Sequence, residues 1–246
     1  MQNRYVGDIG DFGKLGLLRE LAKTGLSIGV NWYLVPDENH NGDGRHTDYL
    51  KDDYKKKSDF IACDEELWRC LGEIVHKENR REVAALENAA LFPAVYWSKK
   101  LDLSGKMKPE RDDRETWHRD ALEKLKSCRI VFVDPDNGLM VPSAYDTAKA
   151  CKYVLPRELA EYYAQGASVI YYQHKARRDD DWYRDRHREL LCSGFFPGAS
   201  GLGLKFTRTS QRYYFFLLQP EHKRAVLSCA DRMLKSPWGK LFEEVD

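Results

Sequence analysis

Hydrophobic and polar positions alternate along the chain in blocks that predict short strands and longer helices in turn. Short apolar runs bounded by Gly, Pro, Asp or Asn predict strands, whereas longer stretches with apolar residues three or four positions apart predict helices. Strands are predicted at residues 27–35, 94–98, 129–134, 166–173, 201–208 and 212–219. Helices are predicted at 12–23, 63–75, 80–90, 116–126, 179–192 and 221–234, and in two pieces across 145–165.

The connections between strands predict their directions. The strands at 129–134 and 166–173 are joined by a helical crossover of roughly thirty residues, which favours parallel neighbours. Several strands lack strict alternation, which is typical of a sheet covered on both faces. The short link Thr-Ser-Gln between the last two strands predicts an antiparallel hairpin. We therefore expect a mostly parallel, doubly wound, Rossmann-like α/β sheet with a C-terminal antiparallel hairpin.

Composition narrows the class of protein without choosing a partner. The 246 residues suit a single α/β domain over 1–246, and 42% hydrophobic with 32% charged residues is typical of a globular chain. A net charge of +1 does not require a nucleic-acid partner. No apolar run approaches the ~18 residues of a membrane span, and the N-terminus lacks a signal-peptide pattern, so we expect a cytoplasmic location. The charged segment at about 99–115 is predicted to be a mobile insertion.

Candidate chemistry begins at the stretch RIVFVDPDNGL, where a buried strand ends in an acidic tip. Ligands of open α/β sheets bind beyond the carboxyl ends of the strands, so Asp134 is the first candidate catalytic residue. Asp136 and Asn137 are further candidates, although the same residue types also form local turns by bonding nearby backbone.

A second polar cluster, Gln-His-Lys, follows the next strand. Because side chains alternate along a strand, Gln173 and Lys175 share one face and His174 the other. One interpretation puts the Gln173 amide and the Lys175 ammonium beside Asp134 as candidate catalytic groups. The other leaves Lys175 in solvent at the end of the strand.

The loop after the first strand is the third cluster. Its candidate ligand-binding residues are Asp37, Asn41, Gly42 and Gly44, because glycine lets backbone approach a ligand closely. Its histidines and aspartates have no recognisable ligand spacing, so no metal site is predicted.

The N-terminal stretch has a glycine at every third position from Gly7 to Gly16. Glycine costs helix stability, so this repeat indicates that something approaches the helix closely, either a substrate or the neighbouring sheet. Asp11 is expected to cap the helix. The predicted substrate-binding residues are Asn3, Arg4, Tyr5, Asp8, Asp11, Lys14 and His174.

These landmarks resemble the Rossmann-type S-adenosylmethionine-dependent methyltransferases. The arrangement is most similar to the ribosomal RNA adenine-N6 methyltransferases of the RlmJ type and the three-Cys-motif partner proteins. The shared features are a glycine- and Asp-containing N-terminal stretch, an acidic glycine loop after a strand, an aspartate before a later strand, and a D-P-P-Y-like tip. Here the tip reads D-P-D-N, with no aromatic residue after Pro135.

The resemblance implies a function and roles for particular residues. S-adenosylmethionine would be the methyl donor and DNA or RNA the substrate. The loop from Asp37 to Gly44 would contact the methionine side of the cofactor, and Asp120 would lie near its adenine. Asp134 would accept a hydrogen bond from the substrate amino group, which suits a transfer that depends mainly on positioning.

Two alternatives use the same fold or the same residues. In a PD-(D/E)xK-type nuclease, Asp134 or Asp136 with Gln173 would hold Mg²⁺ and Lys175 would position the attacking water. Such a nuclease predicts an antiparallel relation between the two strands, whereas parallel strands favour the methyltransferase-like fold. The other alternative is a non-catalytic protein that binds nucleic acid or another partner.

Overall fold

The computed structural model describes residues 1–38, 42–77, 79–102, 111–209 and 211–245. Its strands are β1 Ile28–Asn31, β2 Ala94–Trp97, β3 Ile130–Val133, β4 Gly138–Leu139, β5 Tyr153–Val154, β6 Ser168–His174, β7 Ser200–Phe206, β8 Arg212–Leu218 and β9 Phe242–Glu244. Its α-helices are α1 Ile9–Ala22, α2 Lys57–Gly72, α3 Val83–Asn88, α4 Arg111–Leu125, α5 Pro156–Ala164, α6 Asp180–Leu191 and α7 Pro220–Leu234.

A seven-stranded sheet forms the centre of the molecule, in the order β2-β1-β3-β6-β8-β7-β9. The first four of these strands are parallel, β8 is antiparallel to both β6 and β7, and β9 is antiparallel to β7. Five of the seven strands therefore point in the same direction. The prediction of a mixed α/β fold with a mostly parallel central sheet is confirmed, and β3 and β6 are parallel neighbours.

Both faces of the sheet carry hydrophobic packing, which explains why its strands lack simple alternation. Phe132 of β3 and Tyr214 of β8 belong to a core cluster shared with Phe12 of α1. Their strand neighbours Val131 and Phe215 belong to a second cluster on the other face. The two faces are called the α1 face and the opposite face below.

The glycines of α1 allow this helix to approach the sheet. A Cβ at Gly13 would lie 2.6 Å from the ring of Phe206, and a Cβ at Gly10 or Gly16 would overlap Arg212 or Trp238. The close approach that the glycine repeat predicts is therefore made by the sheet side of the molecule. The prediction that Asp11 caps α1 is wrong, because Asp8 is the capping residue and accepts from Gly10 N at 2.9 Å.

Several predicted boundaries differ from the structure. The first strand ends at Asn31, and Tyr33 then adopts a positive φ of 43°. Of the helix predicted across 145–165, only the part that begins at Pro156 is an α-helix. A residue before a proline disfavours helical backbone, which explains this start. Tyr153–Val154 instead pairs with Gly138–Leu139 as a separate two-stranded sheet.

The predicted insertion at about 99–115 falls partly outside the described residues, which omit 103–110. After that gap α4 begins at Arg111, earlier than predicted. Within the described ranges, no helix combines the length and apolar character needed to cross a bilayer.

Candidate functional site

A cavity of about 190 Å³ lies at the carboxyl ends of β3 and β6, on the α1 face. Four segments line it: the N-terminal stretch with the start of α1, the loop around Gly44, the tip after β3, and the adjoining ends of β6 and β8. This is the edge of the sheet at which open α/β folds bind ligands.

A buried ammonium links α1 to the tip of β3. Lys14 Nζ lies 2.6 Å from Oδ2 of Asp134 and 2.8 Å from Oδ1 of Asp11, and all three side chains are buried. Burial alone would lower the pKa of Lys14, but the two carboxylates raise it above its ordinary value. Asp11, Lys14 and Asp134 thus form a buried group of two carboxyl groups and one ammonium. Burial raises the pKa of Asp11.

The Asp134 carboxylate is fixed at one oxygen and open at the other. Its backbone N donates to Asn31 O at 2.9 Å, and its side-chain Oδ2 accepts from Lys14. Within the described part of the chain, no hydrogen bond or ion pair reaches Oδ1 of Asp134. Asp134 lines the cavity, so its Oδ1 is an acceptor of fixed orientation that no described donor occupies.

Asp136 is tied to the N-terminal residues. Its Oδ1 lies 2.8 Å from the α-ammonium of Met1, and its Oδ2 accepts from Gln2 Nε2 at 2.6 Å. Burial would raise the pKa of Asp136, but the Met1 ammonium and the Gln2 amide bring it below its usual value. Asp136 therefore holds the N-terminal stretch against the tip, although it also lines the cavity.

The backbone of Asn137 is clamped by hydrogen bonds. Its N donates to Lys152 O at 3.0 Å, and its O accepts from Gln173 Nε2 at 2.9 Å and from His174 N at 3.3 Å. Its side-chain carboxamide lines the cavity and has no hydrogen-bond partner among the described residues. Asn137 is a polar side chain held in position but left free to meet a ligand.

Gln173 positions the tip rather than entering the cavity. Besides the bond to Asn137, its Oε1 accepts from Leu139 N at 3.0 Å. Gly138 has a φ of +111°, and a Cβ there would overlap the Gln173 amide. The glycine and the glutamine together shape the turn after β3.

The expectation that Gln173 and Lys175 lie beside Asp134 is wrong. β3 and β6 pair with Val133 opposite Tyr171, so the next position aligns Asp134 with Tyr172. His174, which alternates onto the same face as Tyr172, therefore lines the cavity. Lys175 forms an ion pair with Asp180, and its Nζ lies 5.8 Å from the centre of the Tyr183 ring.

Sequence reasoning missed Arg212, which completes the wall next to His174. Arg212 is the first residue of β8, pairs across the strands with His174, and is buried. Its Nη1 lies 3.6 Å from Oδ1 of Asp8. A charged residue at the start of the otherwise apolar run RYYFFLL was the available signal.

The N-terminal candidates divide into two groups. Tyr5, Asp8, Asp11 and Lys14 line the cavity. Asn3 does not, because its Oδ1 accepts from Val83 N at 3.0 Å. Among these residues, burial raises the pKa of Tyr5, with Asp136 adding to the effect.

Arg4 and the predicted cofactor loop give a mixed result. The backbone N of Arg4 donates to Asp37 Oδ1 at 3.2 Å, and neither residue lines the cavity. Gly44 does line it, with a φ of +80°, and a Cβ there would lie 2.6 Å from Arg4 O. Gly42 is exposed outside the cavity, and Asn41 lies outside the described residues.

Asp120 is not brought to the cavity. It lies in α4 and pairs with Lys99 at 3.0 Å, with both side chains partly exposed. Among the residues that the structure describes, no three or more His, Cys, Asp or Glu side chains are arranged to hold a metal ion.

No family model matches the chain, and no curated protein matches it. Among solved structures, the chain is similar to the crystal structure of a Legionella pneumophila (strain Philadelphia 1) protein that carries the family description DUF519. The two share 8% sequence identity with a TM-score of 0.48, over 98% of this chain and 97% of that one.

Proposed function

We propose that this protein is a methyltransferase that uses S-adenosylmethionine to methylate an amino group of a nucleic acid, DNA or RNA. One observation carries the proposal. Asp134, at the carboxyl end of a central parallel strand, has one carboxylate oxygen fixed by Lys14 and the other open to the cavity. An acceptor of this kind can accept a hydrogen bond from a substrate amino group and orient the nitrogen for transfer.

The charges around the cavity suit such a reaction. S-adenosylmethionine would supply an activated methyl group on a positively charged sulfur. Positive charge passes to the substrate nitrogen during the transfer, and fixed carboxylates stabilise charge that develops close to them. Asp11 and Asp134 both contact the ammonium of Lys14, so the cation that holds Asp134 is shared with a second carboxyl group.

The tip offers a second contact for the substrate. Asn137 stands where the resembling family has an aromatic residue, and its free carboxamide can both donate and accept a hydrogen bond. Tyr5 and Tyr172 provide aromatic surface in the same cavity. The Gly44 loop, which also lines the cavity, is the segment that would contact the methyl donor.

The nuclease alternative has less support. It requires Gln173 and Lys175 beside Asp134, but Gln173 bonds the tip backbone and Lys175 pairs with Asp180. β3 and β6 are parallel, whereas the nuclease predicts an antiparallel pair. If the protein only binds a partner and catalyses no reaction, its function should survive replacement of Asp134, whereas that of the proposed enzyme should not.

A methyl-transfer assay tests the proposal. Purified native protein, Asp134→Asn and Asp120→Asn would be incubated with DNA or RNA and S-adenosylmethionine carrying a labelled methyl group. Because Asp134→Asn preserves shape but removes the charged acceptor, we expect its rate to fall about 10²–10³-fold. Asp120 lies outside the cavity, so Asp120→Asn is the matched control and should change the rate less than about threefold. No transfer by the native protein to either nucleic acid, or equal rates for native and Asp134→Asn, would contradict the proposal.

A further inference from the structure

The wall of the cavity formed by β6 and β8 carries adjacent donors. His174 and Arg212 are directly paired across the two strands, at the edge where β6 ends and β8 begins. Both line the cavity, on the same face as Asp134. The six residues that follow Arg212 in β8 are all tyrosine, phenylalanine or leucine, so Arg212 is the one charged residue of this strand.

The fold makes specific room for the Arg212 guanidinium. A Cβ at Gly10 would overlap Arg212 Nη1, so this part of α1 accommodates the arginine only because residue 10 is glycine. Oδ1 of Asp8 lies 3.6 Å from Arg212 Nη1, and the two Asp8 oxygens also accept from the backbone N of Gly10 and of His46. Burial would lower the pKa of Arg212, but neighbouring groups, Asp8 and Asp11 among them, raise it above its ordinary value. The guanidinium therefore stays charged and can attract an anionic ligand.

His174 adds a second donor beside it. Its Nδ1 lies 3.4 Å from the Tyr172 hydroxyl, and Nε2 has no hydrogen-bond partner in the part of the chain that the structure describes. Burial and the neighbouring Arg212 lower the pKa of His174, so the imidazole is neutral near pH 7. When the Tyr172 hydroxyl donates to Nδ1, Nε2 carries the proton and can donate.

Three of the carboxylates that line the cavity have partners away from this wall. Asp11 and Asp134 bond to Lys14, and Asp136 bonds to the Met1 ammonium and Gln2. The open Asp134 oxygen lies on the tip of β3 and the donors lie on the wall formed by β6 and β8, where Asp8 and Asp43 act electrostatically on Arg212 and His174. This arrangement suits a ligand with an amino group at one end and an anion at the other.

We propose that Arg212 and His174 form an anion subsite that binds a phosphate group of the substrate while Asp134 holds its amino group. The planar guanidinium fork matches phosphate oxygens geometrically, and the imidazole N–H adds a further bond. This inference rests on the proposed function in taking the substrate to be a nucleic acid. The phosphate subsite itself requires only the two side chains and the cavity.

Phosphate binding measured by calorimetry tests the subsite. Inorganic phosphate, a panel of 5′-mononucleotides and the corresponding nucleosides would be titrated into native protein, Arg212→Gln, His174→Ala and Arg208→Gln. We expect phosphate affinity to fall about 10–100-fold in Arg212→Gln and about fivefold in His174→Ala, as for the loss of a charge-assisted and a neutral hydrogen bond. Arg208, which donates to Lys240 O at 2.8 Å outside the cavity, is the matched control and should leave affinity unchanged.

The nucleotide comparison separates substrate phosphate from free phosphate. At least one mononucleotide should bind native protein more tightly than its nucleoside, and Arg212→Gln should abolish that difference. Equal binding of every nucleotide and its nucleoside by native protein would overturn the subsite. So would unchanged phosphate affinity in Arg212→Gln. Because Arg212 is buried, its variant must first show a cooperative unfolding transition; if it does not fold, unchanged phosphate affinity in the half-buried His174→Ala decides against the subsite.

A parallel titration with S-adenosylmethionine keeps the two proposals distinguishable. If native protein binds phosphate through Arg212 but shows no affinity for the methyl donor, the phosphate subsite stands and the proposed methyl transfer fails. If the donor binds and phosphate does not, the subsite fails alone.

Discussion

At the scale of single residues, the site depends on how one ammonium is shared. Lys14 contacts both Asp11 and Asp134, and it is the only group that fixes the Asp134 side chain among the described residues. Its Nζ also lies 5.6 Å from the centre of the Trp32 ring. The buried carboxylates therefore remain close together only while Lys14 is present, since like charges repel strongly at low dielectric.

Replacing Lys14 by methionine should destabilise the protein. The change leaves Asp11 and Asp134 buried without their cation, so we expect the free energy of unfolding to fall by about 3–5 kcal/mol. Urea-induced unfolding measures it. The control is Lys23→Met, which breaks a more exposed pair with Glu20 and should cost about 0–1 kcal/mol. Equal unfolding midpoints for the two variants would show that Lys14 does not have this role.

Two residues named from the sequence line the cavity, one at a strand end and one on a helix. Asp134 lies at the cavity because it follows an apolar strand, and Lys14 because it follows the first turn of α1. Gln173 and Lys175 were assigned to the wrong face, because the pairing register of β3 and β6 decides which face meets Asp134. Arg212 was missed because its position depends on β8 lying next to β6, a non-local pairing.

At the scale of elements, α1 is shaped by its contact with the sheet. Helix propensity alone favours alanine over glycine by about 1 kcal/mol. The glycines at 10, 13 and 16 are nevertheless required, since a Cβ would meet Arg212, Phe206 and Trp238 in turn. Close contact with the sheet outweighs local helix preference.

Gly13→Ala should therefore lower stability although alanine is the better helix former. Overlap with Phe206 should cost about 1–3 kcal/mol, as overpacking of a filled core does. Gly72→Ala is the matched control, since its nearest neighbour, Leu50 O, would lie 4.0 Å from the new Cβ. The midpoint of thermal unfolding should be lower for Gly13→Ala than for native protein, and Gly72→Ala should not lower it. A stabilising effect at position 13 would contradict the close packing of α1.

Element prediction was good for long periodic segments and poor for short ones. The helix at 221–234 and the strand at 212–219 agree with the structure within one residue at each end. The pair Gly138–Leu139 and Tyr153–Val154 could not be recognised, because two residues carry no period. Local pairing there replaces the helix that the pattern predicts.

At the scale of the whole molecule, the cavity is assembled from segments far apart in the sequence. The N-terminal stretch, the tip after β3 and the ends of β6 and β8 meet only because of the strand order β2-β1-β3-β6-β8-β7-β9. Alternation of elements predicted the mixed α/β class. It could not predict the strand order, since β8 enters between β6 and β7.

A buried ion pair on the opposite face ties this arrangement together. Arg114 of α4 bonds both carboxylate oxygens of Glu158 at 2.7 and 2.9 Å, and its remaining donors reach the carbonyls of Ala150 and Tyr153. Arg114 thereby links α4 and α5 to the segment from Ala150 to Tyr153, which leads into β5. β5 in turn pairs with β4, directly after the tip of β3. The position of Asn137 depends on this support through Lys152, whose carbonyl it bonds.

Calorimetric titration with S-adenosylmethionine and with its demethylated product tests the central claim most directly. The account predicts saturable heat with a Kd of about 1–1000 µM, the range of ordinary enzyme–substrate affinities. Asp134→Asn should bind with an affinity close to that of the native protein, because its carboxylate serves the substrate amino group rather than the donor. No detectable heat with either compound, for folded native protein, would contradict methyl transfer at this cavity.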